Sequence, residues 1–216
     1  MDNDSPNVGG GMIATLRRLA QPPVAAERCE WCSVGLAPAH RHLLEVANRR
    51  IICACDGCAL RFEGVIGGRF KLIPREARAL PGFLLADAQW ESFALPINLA
   101  FFFQNSAAGK VTALYPSPAG ATESLLTLKS WNVLLAANPA LSEMEPDVEA
   151  LLVNRVGSAR EYFIAPMDRC YELVGLIRKY WRGFSGGEPV WGEMEKFFGR
   201  VRESAGVPGA GEVCHA

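Results

Sequence analysis

Net charge and histidine are both scarce in this chain. The 22 basic and 23 acidic residues nearly cancel and leave a formal charge of −1. A balance of this kind provides no overall electrostatic attraction to nucleic acid or to an anionic membrane surface. The histidines are His40, His42 and His215. A histidine base is therefore excluded in the larger part of the chain, residues 67–204. Catalysis there would need carboxylates, Tyr or Lys.

The motifs of common catalytic and nucleotide-binding sites are missing too. The sequence contains no phosphate-binding loop, no Gly-x-Ser-x-Gly elbow and no dinucleotide-binding glycine pattern. Its longest apolar runs, such as residues 97–103, are too short to cross a bilayer. The acidic N-terminus does not resemble a secretory signal. We therefore expect a cytoplasmic protein without a membrane span, and the sequence favours a role other than catalysis.

Cysteine, by contrast, is abundant and clustered, since five of the seven lie between residues 29 and 58. The pairs Cys29-x-x-Cys32 and Cys55-x-x-Cys58 each present two thiolates at the separation that a tetrahedral ion needs. In a reducing cytosol this pattern predicts one metal site rather than a disulfide framework. Structural Zn²⁺ is the predicted ion, and iron in a rubredoxin-like site is the alternative. Cys170 is expected in the core, on the apolar face of a helix.

Three neighbouring residues are alternative or accessory ligands. Cys53 stands two residues before Cys55, so it either lies beside the site or replaces Cys55. His40 or His42 can complete a Cys₃His site or form hydrogen bonds around the ligands. We prefer Cys55 because it forms a proper pair with Cys58. The predicted ligands are Cys29, Cys32, Cys55 and Cys58, with Cys53 as the alternative.

The pattern of apolar residues predicts an α+β fold. A module of zinc-ribbon or rubredoxin type, with two short strands between its cysteine pairs, precedes a small antiparallel sheet packed with helices on one side. The expected segments are a tail with a short helix (1–26), the four-cysteine metal-binding module (27–66), the α+β domain (67–204) and a flexible tail (205–216).

Several local predictions concern the larger domain. Residues 97–103 and 110–115 are expected to form a hairpin with a longer loop. The segment 116–120, Pro-Ser-Pro-Ala-Gly, is expected to break regular structure. Asp87 and Asp168 are predicted to cap helices.

Two segments are candidate binding surfaces. The loop 181–187, Trp-Arg-Gly-Phe-Ser-Gly-Gly, combines small, aromatic and charged residues, and its candidate partner contacts are Trp181, Arg182 and Ser185. The stretch 41–78 holds eight basic residues against four acidic ones. It is the basis of a nucleic-acid-binding hypothesis, which the near-zero net charge of the chain disfavours.

Most of the chain resembles an uncharacterised bacterial family, a domain of unknown function. The similar segments are residues 29–32, 40–44, 52–58, 114–124, 145–155 and 181–187. Ser33 is a departure, because glycine is expected after the first cysteine pair. Genes of this family tend to accompany those of high-affinity, oxygen-tolerant uptake nickel–iron hydrogenases. The resemblance therefore implies a hydrogenase-associated role, although it supplies no mechanism.

Three functions are consistent with these observations. The first is a non-catalytic zinc-binding accessory protein that acts in assembly or maturation of a nickel–iron hydrogenase, through contacts with hydrogenase subunits or other accessory proteins. The second is a rubredoxin-like iron electron carrier that serves the hydrogenase. The third is a zinc-ribbon protein that binds nucleic acid.

Overall fold

The computed structural model describes residues 27–63, 68–124, 129–183 and 186–206. Within these ranges the chain folds into two antiparallel sheets, one of three strands and one of six, together with five α-helices. The mixed fold with antiparallel sheets is confirmed. The short helix predicted within residues 1–26 and most of the predicted C-terminal tail lie outside the described residues.

The three-stranded sheet follows the first cysteine pair. β1 (Arg41–Glu45) and β2 (Arg50–Ala54) form the predicted hairpin, and β3 (Phe70–Leu72) pairs with the other edge of β1. Helix α1 (Asp56–Phe62) begins directly after β2. A small apolar core lies between α1 and the sheet, formed by Leu43, Ala54 and Ala59 with Trp31, Phe62 and Leu72 at its margin.

The six-stranded sheet has the order β4-β9-β8-β5-β6-β7, and all neighbouring strands are antiparallel. The predicted hairpin of β5 and β6 is confirmed. The strands are β4 (Arg78–Ala79), β5 (Leu99–Asn105), β6 (Lys110–Ser117), β7 (Gly120–Glu123), β8 (Glu149–Asn154) and β9 (Glu161–Pro166).

The prediction that residues 116–120 break regular structure is wrong. Pro116 lies inside β6, and the chain reverses directly into β7, with Ser117 paired to Gly120. The register of β6 with β5 ends at Leu114, so Pro116 pairs with β7 alone. Its missing N–H therefore costs no ladder bond to β5, which is why the strand tolerates proline here.

Helices cover both faces of the six-stranded sheet, which corrects the expectation of helices on one side. Along β5, Phe101 and Phe103 pack into one core while Ala100 and Phe102 pack into another. Because successive strand residues point to opposite faces, the two cores lie on opposite sides of the sheet. An uninterrupted apolar run, rather than an alternating one, is typical of a strand covered on both faces.

The two helical layers differ in length. The longer helices, α4 (Met167–Tyr180) and α5 (Glu188–Ser204), cover one face, and Cys170 is fully buried there as predicted. The other face is covered by α2 (Asp87–Glu91), α3 (Lys129–Ala137) and a 3₁₀ helix (Pro139–Glu143). Among the described residues, no helix is long and apolar enough to span a membrane.

Both predicted aspartate caps are wrong. The N-cap of α2 is Ala86, and the N-cap of α4 is Pro166. Asp87 is instead the first residue of α2 and forms an ion pair with Arg155. Asp168 lies in the first turn of α4, where a carboxylate also interacts favourably with the helix dipole. Both carboxylates contact distant segments of the chain, which sequence patterns do not reveal.

Asp147 connects the two sheets. Its carboxylate accepts hydrogen bonds from Lys71 Nζ of β3 at 2.8 Å and from Ser106 Oγ, in the β5–β6 turn, at 2.6 Å. Burial alone would raise the pKa of Asp147, but the bonds from Lys71 and from the side chain and amide of Ser106 hold it below the usual value. The connection is therefore strongest with the carboxylate ionised.

Candidate metal centre

The first cysteine pair lies in a tight backbone turn. The amide of Cys29 donates to Val34 O at 2.9 Å, and the amide of Ser33 donates to Cys29 O at 2.8 Å. Ser33 adopts φ of 61°. This left-handed conformation favours glycine, so the turn explains why glycine is expected at the position. The turn places Cys32 at the surface and Cys29 in the interior.

The second pair lies at the start of α1. Cys55 is the N-cap residue, and its Sγ accepts a hydrogen bond from the Cys58 amide at 3.5 Å. Free N–H groups and the positive end of the helix dipole both favour a thiolate at this position. The local sequence thus places Cys55 and Cys58 on one helical turn.

The two pairs meet. The Sγ atoms of all four cysteines lie within 4.8 Å of one another, and those of Cys32 and Cys55 are 3.7 Å apart. Cys29 is buried, Cys32 is exposed, and Cys55 and Cys58 are half-buried. Four thiolates at such separations are a donor set that can hold a metal ion in tetrahedral coordination.

The thiols of the cluster differ in acidity. Burial opposes ionisation of Cys29, but backbone amides of Cys32, Cys55 and Trp31 outweigh it and lower its pKa to about 6. At Cys58, burial and the sulfur atoms of neighbouring cysteines raise the pKa to about 12. One thiolate therefore forms readily while another thiol keeps its proton. A bound cation is what would allow all four to ionise together, since metal ligation requires thiolates.

Glu30 connects the first cysteine pair to β2 through hydrogen bonds. Its amide donates to Cys53 O at 3.0 Å, and its Oε1 accepts from the Cys53 amide at 2.9 Å. Arg50 holds the same carboxylate through an ion pair of 3.2 Å. These contacts fix the first turn relative to the hairpin that leads to Cys55.

The structure groups Cys53, the alternative ligand, with the two histidines. The ligand atoms of Cys53, His40 and His42 lie within 4.8 Å of one another, as a set separate from the four-cysteine cluster. His42 Nδ1 also contacts Asp168 Oδ2 at 2.7 Å. Sequence reasoning missed Asp168 because 126 residues separate it from His42.

The candidate contact loop is described in part. Trp181 is half-buried, its Nε1 donates to Gly183 O at 2.9 Å, and its ring centroid lies 6.2 Å from that of Trp191. Arg182 is exposed, and its guanidinium donates to the carbonyls of Lys179 and Trp181. Ser185 lies outside the described residues. An apolar cavity of about 210 Å³ adjoins the two tryptophans and is lined by Ile97, Leu99, Val156, Ile177, Trp181, Trp191 and Met194 among others.

A larger open cavity of about 910 Å³ lies beside α2 and the end of α5. Arg155, Arg160 and Arg202 line it together with Tyr162 and other residues. Arg155 is buried and pairs with Asp87, whereas its Nη1 has no hydrogen-bond partner among the described residues. Sequence reasoning missed this cavity, because its arginines come from separate segments without a motif.

Fold and site together define an α+β protein with antiparallel sheets and a four-cysteine cluster that can hold a metal ion. The chain belongs to the family of unknown function DUF5947, which it matches over residues 28–205. No curated protein and no solved structure is significantly similar to it. Membership in an uncharacterised family is thus confirmed, whereas the association with hydrogenases stays a prediction.

Proposed function

We propose that the chain is a non-catalytic, zinc-stabilised accessory protein that acts in assembly or maturation of a nickel–iron hydrogenase through protein–protein contacts. The observation that supports the zinc centre is the convergence of four cysteine Sγ atoms within 4.8 Å. The hydrogenase association rests on the resemblance of the cysteine segments and loops to the hydrogenase-linked family. It does not rest on the geometry of the site.

A structural role for the ion follows from the number of ligands. Four protein thiolates complete a tetrahedral shell, whereas catalytic zinc keeps a position for water or substrate. The cysteines come from a backbone turn and a helix N-terminus at the two ends of a hairpin, an arrangement related to zinc-ribbon modules. An ion in this cluster would hold the turn, the hairpin and α1 together.

The partner surface proposed is the area around Trp181 and Trp191. Trp191 is 41% exposed, which is high for a large apolar side chain, and the adjoining apolar cavity can receive a side chain of a partner. An exposed tryptophan next to an apolar cavity is a typical anchor of a protein interface. Arg182 lies in the same loop and would contribute the polar margin.

Co-purification tests the accessory role. The tagged chain should retain a hydrogenase subunit from cells that express the enzyme, and its deletion should reduce hydrogenase activity. Trp191→Ala should weaken the retention at least tenfold, whereas Val133→Ala, which removes a 64%-exposed apolar side chain elsewhere, should leave it unchanged. Normal hydrogenase activity without the protein would contradict the proposal.

The iron electron carrier is the second candidate. The observation that favours it is the exposure of Cys32, since a surface sulfur ligand shortens the path of an electron to a partner. Metal content and visible absorption of anaerobically purified protein separate the two candidates. Zinc and no colour support the accessory role, while iron with thiolate charge-transfer bands and reversible reduction supports the carrier.

We do not extend the proposal to nucleic acid, because most basic side chains of the stretch 41–78 are engaged within the protein. Arg49 donates to Tyr171 and lies over the ring of Phe103. Ion pairs within the described residues join Arg41 and Arg75 to Asp56, Arg50 to Glu30 and Glu45, Arg69 to Glu45, Lys71 to Asp147, and Arg78 to Glu149.

A further inference from the structure

A second set of metal-ligating side chains lies beside the four-cysteine cluster. His42 on β1 stands directly opposite Cys53 on β2. Opposed residues of antiparallel strands project to the same face, so the imidazole and the thiol are neighbours. The ring of His40 lies 4.6 Å from that of His42, centroid to centroid. Ligand atoms of all three residues lie within 4.8 Å of one another.

Hydrogen bonds orient both imidazoles in the same way. Nδ1 of His42 contacts Asp168 Oδ2 at 2.7 Å, and Nδ1 of His40 contacts the carbonyl oxygen of Ala37 at 2.9 Å. Because both partners are acceptors, each Nδ1 carries the proton and donates. Nε2 of each neutral ring is then left with its lone pair, as in metal-binding histidines that donate their other N–H to a carboxylate or carbonyl.

Nε2 of His40 lacks a partner although it is buried. The side chain of His40 is 5% exposed, and its Nε2 has no hydrogen-bond partner among the described residues. Buried polar nitrogens in folded proteins are almost always satisfied, so an orphaned acceptor needs an explanation. A metal ion would accept this lone pair together with those of His42 and Cys53.

The surrounding charges favour a cation. Glu27 Oε2 lies 3.6 Å from His40 Nδ1, and Asp168 contacts His42. The Glu30 carboxylate is bound to the amide of Cys53, although Arg50 balances its charge. Carboxylates next to ligating imidazoles fix the tautomer and the orientation of the rings.

We propose that His40, His42 and Cys53 form a second metal site, distinct from the four-cysteine cluster, for a divalent ion of the zinc type. Two imidazoles and a thiolate suit zinc and its spectroscopic substitute cobalt(II), whereas calcium and magnesium prefer oxygen ligands. The three described ligands leave the fourth tetrahedral position to water or an outside ligand. Asp168 is a positioning residue that comes from α4, so the ion would also connect the small sheet to the large domain.

Metal titration of the full-length chain tests the site. The chelator-treated protein is loaded with cobalt(II), desalted and analysed for bound cobalt and visible absorption. The unaltered chain should hold two ions. Cys53→Ser, His40→Gln and His42→Gln should each hold one and keep the intense thiolate-to-cobalt band of the four-cysteine cluster. That band shows that the local fold survives the substitution.

Matched controls come from the C-terminal segment. Cys214→Ser and His215→Gln remove the same chemical groups and should leave two ions bound. Asp168→Ala should weaken binding of the second ion about 10- to 100-fold, because it removes the acceptor that orients His42, and should leave the first ion unchanged.

Four results would overturn the proposal. The first is a single bound ion in the unaltered chain. The second is two ions in Cys53→Ser, His40→Gln and His42→Gln. The third is loss of the four-thiolate band in all of these variants, since a separate site must be removable without the cluster. Loss of the band in Cys53→Ser alone would assign Cys53 to the cluster and would also contradict the proposal.

Discussion

The cysteine-containing small sheet and the six-stranded sheet are stabilised in different ways. The small sheet and α1 bury few large side chains: Leu43, Ala54 and Ala59 form one cluster, and Leu44 packs with Ile73 and Val148 in another. The six-stranded sheet is filled on both faces by large side chains such as Phe101 and Phe102, each fully buried. A region with so few buried apolar groups rarely folds on their burial alone. The comparison therefore predicts that an ion bound by the four cysteines contributes much more to the stability of the small sheet than to that of the six-stranded sheet.

The first and largest predicted effect concerns the cluster. Cys32→Ala removes a proposed zinc ligand, so residues 27–63 should lose most of the roughly 10 kcal/mol that structural zinc supplies to a small domain. Limited proteolysis should cut this region first, while the six-stranded sheet stays resistant.

Cys170→Ala is the matched control, because it removes a fully buried cysteine from the large core. It should lower the global stability by about 1–2 kcal/mol and leave the small sheet resistant. Identical proteolysis patterns for Cys32→Ala and the unaltered chain would show that the cluster does not support its region.

The second prediction tests whether both faces of the large sheet are packed. Phe101→Ala and Phe102→Ala should each lower the free energy of unfolding by about 3–5 kcal/mol, because each leaves a cavity in a different core. Denaturant unfolding measures both. A loss below about 1 kcal/mol for Phe102→Ala would mean that the second layer, with α2 and α3, contributes little.

The third prediction concerns the connection between the regions and its pH dependence. Asp147→Asn should lower the free energy of unfolding by about 2–3 kcal/mol at neutral pH, since the partly buried ammonium group of Lys71 loses its anionic partner. Asn tolerates the left-handed backbone of this residue, whose φ is 72°. The substitution therefore tests the charge rather than the turn.

The folded pKa of Asp147 is lowered, so its stabilisation is complete above the unfolded value near 3.9 and is lost as the pH falls through the folded pKa. The difference in free energy of unfolding between the unaltered chain and Asp147→Asn should be constant from about pH 5 to 7 and should shrink below about pH 4. A difference independent of pH down to 2 would exclude an ionised Asp147 as its source.

The smallest predicted effect is at the first cysteine turn. Ser33→Val should destabilise the small sheet by about 1–2 kcal/mol, because a β-branched residue is strained at φ of 61°. The stability of the small sheet in Ser33→Gly should lie within about 0.5 kcal/mol of that in the unaltered chain. Glycine relieves the backbone strain in the folded state, but it also gives the unfolded chain more conformational freedom, and the two effects offset each other. Hydrogen exchange of β1 and β2 measures both, and equal exchange in the two variants would argue against this turn geometry.

The four-cysteine cluster could be predicted from the sequence because the two cysteines of each pair are close together in the chain. A Cys-x-x-Cys spacing fixes the separation of its own sulfurs, and the strands between the pairs predict a hairpin that brings them together. The association of Cys53 with His42 could not be read, because it depends on the register of β1 and β2. A shift of one residue would turn the side chains of one strand to the opposite face.

The two-sided covering of the large sheet was missed for a related reason. A short apolar run such as Leu99 to Phe103 suits a strand buried on both faces, but its periodicity does not distinguish that strand from other buried segments. Contacts over long distances in the chain, such as Asp168 with His42 and Lys71 with Asp147, follow from the packing of whole elements. Local patterns carry no signal for them.

The central claim, that a metal ion supports the small sheet and not the large one, is tested most directly by hydrogen exchange of the zinc-loaded and the chelator-treated protein. We predict that removal of the metal abolishes the protection of β1, β2 and α1, while β5 and β8 exchange as slowly as before. Unchanged protection of β1, β2 and α1 after complete removal of the metal would contradict the claim.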